Sequence, residues 1–85
     1  MGLINRIVPD GEALTAAREM AEQIAACGPL SVQAILLTHR RTEGLDEEAA
    51  LKISDEIGWP VFSSEDAKEG TLAFREKRPP NYTGE

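Results

Sequence analysis

The sequence predicts an all-α domain of about four helices, and three kinds of observation support this. Apolar side chains recur at three- and four-residue steps along most of the chain, which is the spacing of one helix face. Glycine and proline interrupt the pattern at Gly28-Pro29, at Gly44 and at Gly58-Trp59-Pro60, where helices end or bend. Good N-capping residues follow most interruptions. Because 85 residues suffice for only one small domain, residues 1–85 are treated as one unit.

The N-terminal third predicts a lead-in followed by a helix. The apolar residues between positions 3 and 8 stop at Pro9, which suits a strand or an extended segment. Asp10 is suited to be the N-cap of a first helix over about residues 11–26. The apolar stripe of that helix consists of Leu14, Ala17, Ala21 and Ile24.

The middle third predicts two helices. Pro29 suits the first position of a second helix, because its missing N–H lies where helical donors lack partners, and that helix should end before Gly44. Asp46 is the expected N-cap of a third helix, with Glu47 and Glu48 in its first turn. The shared faces are Val32, Ile35, Leu36 and His39 on the second helix, and Ala50, Ile53 and Ile57 on the third.

Pro60 is expected to break or kink the third helix, because it cannot donate to the carbonyl four residues earlier. Ser63 and Asp66 have capping-box spacing, so a fourth helix should run over about residues 65–77. Residues 79–85 are expected to form an extended, polar tail.

Composition and charge exclude several classes of protein. The formal net charge of -6 argues against nucleic-acid binding, since such proteins usually carry a basic face. The sequence has no apolar stretch of ~20 residues and no signal pattern, so we expect no membrane partner. A single cysteine excludes an intrachain disulfide and favours a cytoplasmic location.

No catalytic residue and no metal site are expected. His39 has no acidic or cysteine partner at helical spacing, so a surface or partly buried histidine is the simpler interpretation. Cys27 follows two alanines and is expected to be a small buried residue. The neighbouring carboxylates Glu47 and Glu48 should diverge around a helix, as should those of Asp55 and Glu56.

Several motifs resemble the C-terminal region of the enoyl-CoA hydratase/isomerase (crotonase) family. They are GLINRIVP at residues 2–9, IAACGPL at residues 24–30, SEDAKEG at residues 64–70 and AFREKRPP at residues 73–80. The resemblance covers essentially the whole chain and implies the helical extension of the crotonase fold without its α/β core. It also implies that the family's catalytic carboxylates and oxyanion hole lie outside this chain, which alone should be inactive.

The same resemblance implies subunit packing and a contact with coenzyme A (CoA), the thioester carrier of the family's substrates, and no other cofactor. The family positions that match Phe74 and Lys77 lie near the adenine and phosphates of CoA. The residue types agree with that role, because Phe74, Lys77 and Arg78 would share a helical face at i, i+3 and i+4. An aromatic ring beside two cations suits a nucleotide phosphate.

Alternatives stay open from the sequence. The apolar stripes could form an internal core, or a surface that associates with another copy or with the core of a crotonase-like subunit. The chain could instead be a stand-alone helical interaction module from a truncated reading frame. An acidic helical regulator of nucleic acid has little support beyond residues 75–78. Acyl-chain preference, and hydratase against isomerase or dehalogenase chemistry, cannot be read from these residues.

Overall fold

The computed structural model describes residues 2–85, and within them it contains four α-helices and no β-strand. The helices are α1 (Ala13–Ala25), α2 (Pro29–Thr42), α3 (Glu47–Phe62) and α4 (Glu65–Glu76). The all-α prediction with four helices is therefore confirmed. Each helix begins within two residues of its predicted start.

The segment before α1 is an irregular lead-in, and its predicted cap is wrong. Gly11 has a φ of 82°, and the N–H of Glu12 donates to the carbonyl of Pro9 at 3.1 Å. This turn moves the helix start to Ala13, where Glu12 is the N-cap without a side-chain hydrogen bond. Asp10 therefore lies in the turn and not at the cap.

The ends of α2 and the start of α3 agree with the sequence. Pro29 is the first residue of α2, and α2 ends at Thr42. Gly44 follows with a φ of 76°, a left-handed conformation that glycine adopts without strain. Asp46 caps α3 by accepting a hydrogen bond from the N–H of Ala49 at 2.8 Å.

Of the break or kink predicted at Pro60, the break is wrong, because α3 continues through Pro60 to Phe62. Pro60 lies two residues before the last helical residue, so its missing N–H removes one hydrogen bond from a turn that is about to end. The continuous helix carries Trp59 and Phe62 on its exposed end, with their ring centroids 5.9 Å apart. Such a separation allows a favourable tilted aromatic contact.

The helices form a thin assembly with extents of 43 × 40 × 18 Å. α2 packs mainly against α3, α3 packs lightly against α4, and α1 makes at most slight contact with the other helices. Among the described residues, Ala73 is the only buried apolar residue and Asp66 the only buried polar one. The α2–α3 pair provides the main interhelical packing of the chain.

The apolar stripes divide between packing and exposure. Val32, Ala50, Ile53 and Ile57 are half-buried at the α2–α3 contact. The four stripe residues of α1 are exposed, as are Ile35, Leu36 and His39 on α2. Cys27 is also exposed, so its predicted burial is wrong; it follows α1, which no other helix covers.

Within residues 2–85, no single helix is long and apolar enough to cross a bilayer. Only α1 and α2 taken together reach such a length and composition, and the chain bends by 107° between them.

Candidate functional site

The candidate site lies at the C-terminal end of α4, and the start of that helix fixes its register. Ser64 is the N-cap, and its Oγ accepts a hydrogen bond from the N–H of Ala67 at 3.1 Å. Ser63 instead ends α3, so the predicted capping box between Ser63 and Asp66 is wrong by one residue. This register places Phe74 in the last turn of α4 and Lys77 directly after it.

Lys77 ends α4 in a left-handed conformation with φ 54° and ψ 44°. Its N–H donates to the carbonyl of Phe74 at 3.2 Å, and the N–H of Arg78 donates to the carbonyl of Ala73 at 3.1 Å. These two bonds form a Schellman motif, which usually has glycine at the left-handed position. A lysine there costs backbone strain that glycine avoids.

Phe74 projects from the same helix end and is 87% exposed. Its ring borders an apolar groove of about 500 Å³ between the start of α2, the end of α3 and one face of α4. The other large apolar side chains of the groove are Leu30, Val61, Phe62 and Tyr82. Here the structure places an unpaired aromatic ring at the edge of a concave apolar surface.

The predicted helical face shared by Phe74, Lys77 and Arg78 is wrong, because Lys77 is in the left-handed C-cap and Arg78 follows it. The helix ends at Glu76, and the turned backbone sends the Arg78 side chain back along α4. There its guanidinium pairs with both carboxylate oxygens of Glu69 at 2.6 and 3.1 Å, and with Glu76 at 2.7 Å.

The pKa values of this group follow from its hydrogen bonds. Pairing with Arg78, aided by the backbone N–H of Asn81, lowers the pKa of Glu69 to about 2. The same pairing raises the pKa of Arg78 above its ordinary value. Arg78 is therefore neutralised by carboxylates, whereas no ion pair involves Lys77 within residues 2–85. Lys77 therefore has no carboxylate partner in this part of the chain, and the same holds for Arg75 in the last turn of α4.

The C-terminal tail is ordered by a network that sequence reasoning missed. Asp66 is only 5% exposed, and its carboxylate accepts the backbone N–H groups of Thr83 at 2.8 Å and Gly84 at 2.9 Å. Glu69 accepts the N–H of Asn81 at 2.8 Å. The available signal was the pair of acidic residues one turn apart on α4, Asp66 and Glu69, of which only Asp66 had a predicted role, in a capping box.

The residues considered for chemistry are not brought together. Across residues 2–85, no group of three or more His, Cys, Asp or Glu side chains could hold a metal ion. His39 and Cys27 are both exposed, and the Sγ of Cys27 only donates to the carbonyl of Gln23. The arrangement offers a surface for binding and packing.

Comparison with known proteins gives one consistent result. The sequence profile of the family Enoyl-CoA hydratase/isomerase matches residues 1–85. The enoyl-CoA hydratase EchA19 of Mycobacterium tuberculosis is 58% identical over 82 residues, which are 96% of this chain and 31% of that protein. The carnitinyl-CoA dehydratase of Proteus mirabilis is 42% identical over 87 aligned positions, covering 98% of this chain and 33% of the relative.

Solved structures agree with the sequence comparison. An enoyl-CoA hydratase/isomerase from Mycobacterium abscessus matches 99% of this chain with a TM-score of 0.94 and 42% identity, over 35% of its own length. An enoyl-CoA hydratase from Mycobacterium tuberculosis matches 99% of this chain with a TM-score of 0.91 and 42% identity, over 33% of its length. The four helices match the helical C-terminal segment of these crotonase-fold proteins. The chain thus spans about a third of the length of its relatives.

Proposed function

Because this chain belongs to the enoyl-CoA hydratase/isomerase (crotonase) family, we propose that it supplies subunit packing and a cover for CoA in an enzyme that hydrates 2-enoyl-CoA. The observation that supports this proposal is that an exposed aromatic ring, Phe74, and a cation without a carboxylate partner, Lys77, both lie at the C-terminal end of α4. An adenine ring can stack on the aromatic side chain, and the lysine can bind a phosphate as a point charge.

The packing role is supported by the exposed apolar face of α1. The large apolar side chains of Leu14 and Ile24 are exposed to solvent, and α1 has little contact with the other helices. Exposed apolar patches of this kind usually mark interaction sites. We propose that this face packs on the family's catalytic core or on another copy of the chain. A cytoplasmic location stays a prediction.

A calorimetric titration with coenzyme A at low and high salt tests the covering role. We expect binding that weakens with salt, because phosphate attraction is screened, and that weakens further in Lys77→Ala. The matched control is Lys52→Ala, which removes an exposed lysine from α3 and should bind like the wild type. An absence of binding, or an equal loss in both variants, would contradict the proposal.

A turnover assay tests the claim that this chain alone is inactive. The absorbance of a 2-enoyl-CoA thioester should stay constant in the presence of the purified chain, because the family resemblance implies that the catalytic carboxylates and the oxyanion hole lie outside these residues. Hydration above the buffer rate, retained through repeated purification, would overturn the claim. The stand-alone interaction module would share this inactivity but would show no affinity for CoA, so the titration separates the two proposals.

A further inference from the structure

The eight residues that follow α4 and its C-cap, residues 78–85, run back along the helix from its C-terminal end to its first turn. Arg78 and Asn81 bind Glu69 near the middle of α4, and Thr83 and Gly84 bind Asp66 in the first turn. The contacts therefore follow the reverse order of the helix. We call residues 78–85 the C-terminal strap.

Asp66 joins the strap to α4 through both its side chain and its backbone. Each carboxylate oxygen accepts one strap N–H, at 2.8 Å from Thr83 and 2.9 Å from Gly84. The N–H of Asp66, which has no partner within the first turn of a helix, donates to the carbonyl of Glu85 at 2.9 Å. The Thr83 hydroxyl adds a longer bond to the same carboxylate at 3.4 Å. Four hydrogen bonds thus join the strap to one buried residue, and the two short N–H bonds to the carboxylate are of the stronger kind.

Tyr82 lies between these anchors and reaches both α2 and α4. A Cβ built on Gly70 of α4 would be 3.0 Å from the Tyr82 hydroxyl, and one on Gly28 at the start of α2 would be 3.8 Å from the ring. Gly70 therefore leaves room for the Tyr82 hydroxyl, whereas a Cβ at Gly28 would make an ordinary van der Waals contact with the ring. Because α2 and α4 have little direct contact, the Tyr82 ring is a main bridge between them.

We propose that the C-terminal strap positions α4 relative to α2, with Asp66 and Tyr82 as positioning residues. Tyr82 and Phe74 border the same groove. By holding α4 in place, the strap would also determine the position of Phe74 at that groove. The structural part stands by itself, whereas its consequence for CoA rests on the proposed function.

Hydrogen exchange on the full chain tests the structural part. In Asp66→Asn, one strap N–H faces an amide that cannot accept it, so exchange at Thr83 and Gly84 should accelerate by about tenfold or more. Glu65→Gln is the matched control, because it removes the same charge from the same helical turn but binds only Lys68. Equal acceleration in both variants, or none in Asp66→Asn, would overturn the role of Asp66.

A second pair of variants tests the contact of Tyr82 with Gly70 without removing any polar group. Gly70→Ala places a methyl group against the Tyr82 hydroxyl, whereas Gly58→Ala on α3 meets no atom within 4 Å. Both changes favour their helices, so both variants should fold. Only Gly70→Ala should shift the Tyr82 ring resonances and accelerate strap exchange. Identical spectra of the Tyr82 ring in the two variants would contradict the close contact between Tyr82 and Gly70.

The link to the ligand is tested by titrating coenzyme A into Tyr82→Ala and Tyr82→Phe. Both variants retain Phe74 and Lys77, and Tyr82→Phe also keeps the bridging ring. Binding should weaken several-fold in Tyr82→Ala and stay near the wild type in Tyr82→Phe. Equal affinity in Tyr82→Ala and wild type would overturn the effect of the strap on CoA binding. If the wild type binds no CoA, the proposed function fails, while the exchange experiment still decides the strap.

Discussion

The two ends of this chain are organised in opposite ways. At the N-terminal end, α1 buries no residue, and its lead-in is tied to it by one exposed ion pair between Arg6 and Glu19 at 3.0 Å. Such surface pairs contribute little to stability. At the C-terminal end, α4 contains both buried residues of the described chain and binds the strap through two carboxylates. One end is held by buried and hydrogen-bonded groups, whereas the other leaves an apolar helix face exposed.

The largest effect should come from enlarging the buried alanine of α4. Ala73 is 1% exposed, so Ala73→Leu should lower the free energy of unfolding by about 1–3 kcal/mol through overpacking. Ala21→Leu makes the same change on exposed α1 and should stay within about 0.5 kcal/mol of wild type. Urea unfolding followed by circular dichroism measures both. Similar losses would remove the contrast between the two ends.

Backbone strain at Lys77 gives the next effect. Lys77→Gly should raise the free energy of unfolding by about 1 kcal/mol, because glycine adopts the left-handed conformation without strain. Lys52→Gly places the same residue inside α3 and should lower it by about 1 kcal/mol. Thermal melting of the two variants should therefore shift in opposite directions. A lower melting temperature for Lys77→Gly would argue against the Schellman ending of α4.

Polar substitutions on α1 should change association more than stability. The double variant Leu14→Ser with Ile24→Ser should alter the free energy of unfolding by only about 0.5 kcal/mol per site, since both side chains are exposed. It should also reduce self-association in a sedimentation concentration series. Gln23→Ser on the same helix controls for helix propensity. Unchanged association in the double variant would exclude this face as the site of self-association.

The smallest expected effect is the loss of the Glu69–Arg78 pairing at low pH. The pKa of Glu69 is lowered to about 2. The ionised Glu69 therefore stabilises the folded chain fully above the ordinary pKa near 4.5, and this stabilisation is lost as the pH falls through about 2. The amide resonance of Asn81 should therefore titrate near pH 2. Arg78→Gln removes the largest cause and should move that midpoint towards 4.5. A wild-type midpoint near 4.5 would mean that the pairing is not formed in solution.

Local signals predicted most of the fold, and tertiary contacts determined the rest. Pro29, Gly44 and Asp46 act through their own backbone neighbours, so their roles could be predicted from sequence. Asp10 and Ser63 were assigned as caps at the right distance from a helix, but a glycine turn and a one-residue register shift placed them elsewhere.

The candidate site shows the same division. The choice of Phe74 and Lys77 came from the family motif, and both lie at the C-terminal end of α4, Phe74 in the last turn and Lys77 at the C-cap. Arg78 could not be placed correctly, because its direction depends on the left-handed turn at Lys77 and on Glu69 nine residues earlier. The partners of Asp66 lie 17 and 18 residues away, beyond any local pattern. The CoA roles of Phe74 and Lys77 stay a proposal.

Residue-resolved hydrogen exchange of the unmodified chain tests most directly whether its two ends differ in this way. We expect slow exchange for the amides of α4 and for Asn81, Thr83 and Gly84, and fast exchange throughout α1, which buries no residue. Protection of α1 equal to that of α4, in a sample shown to be monomeric, would contradict this expectation.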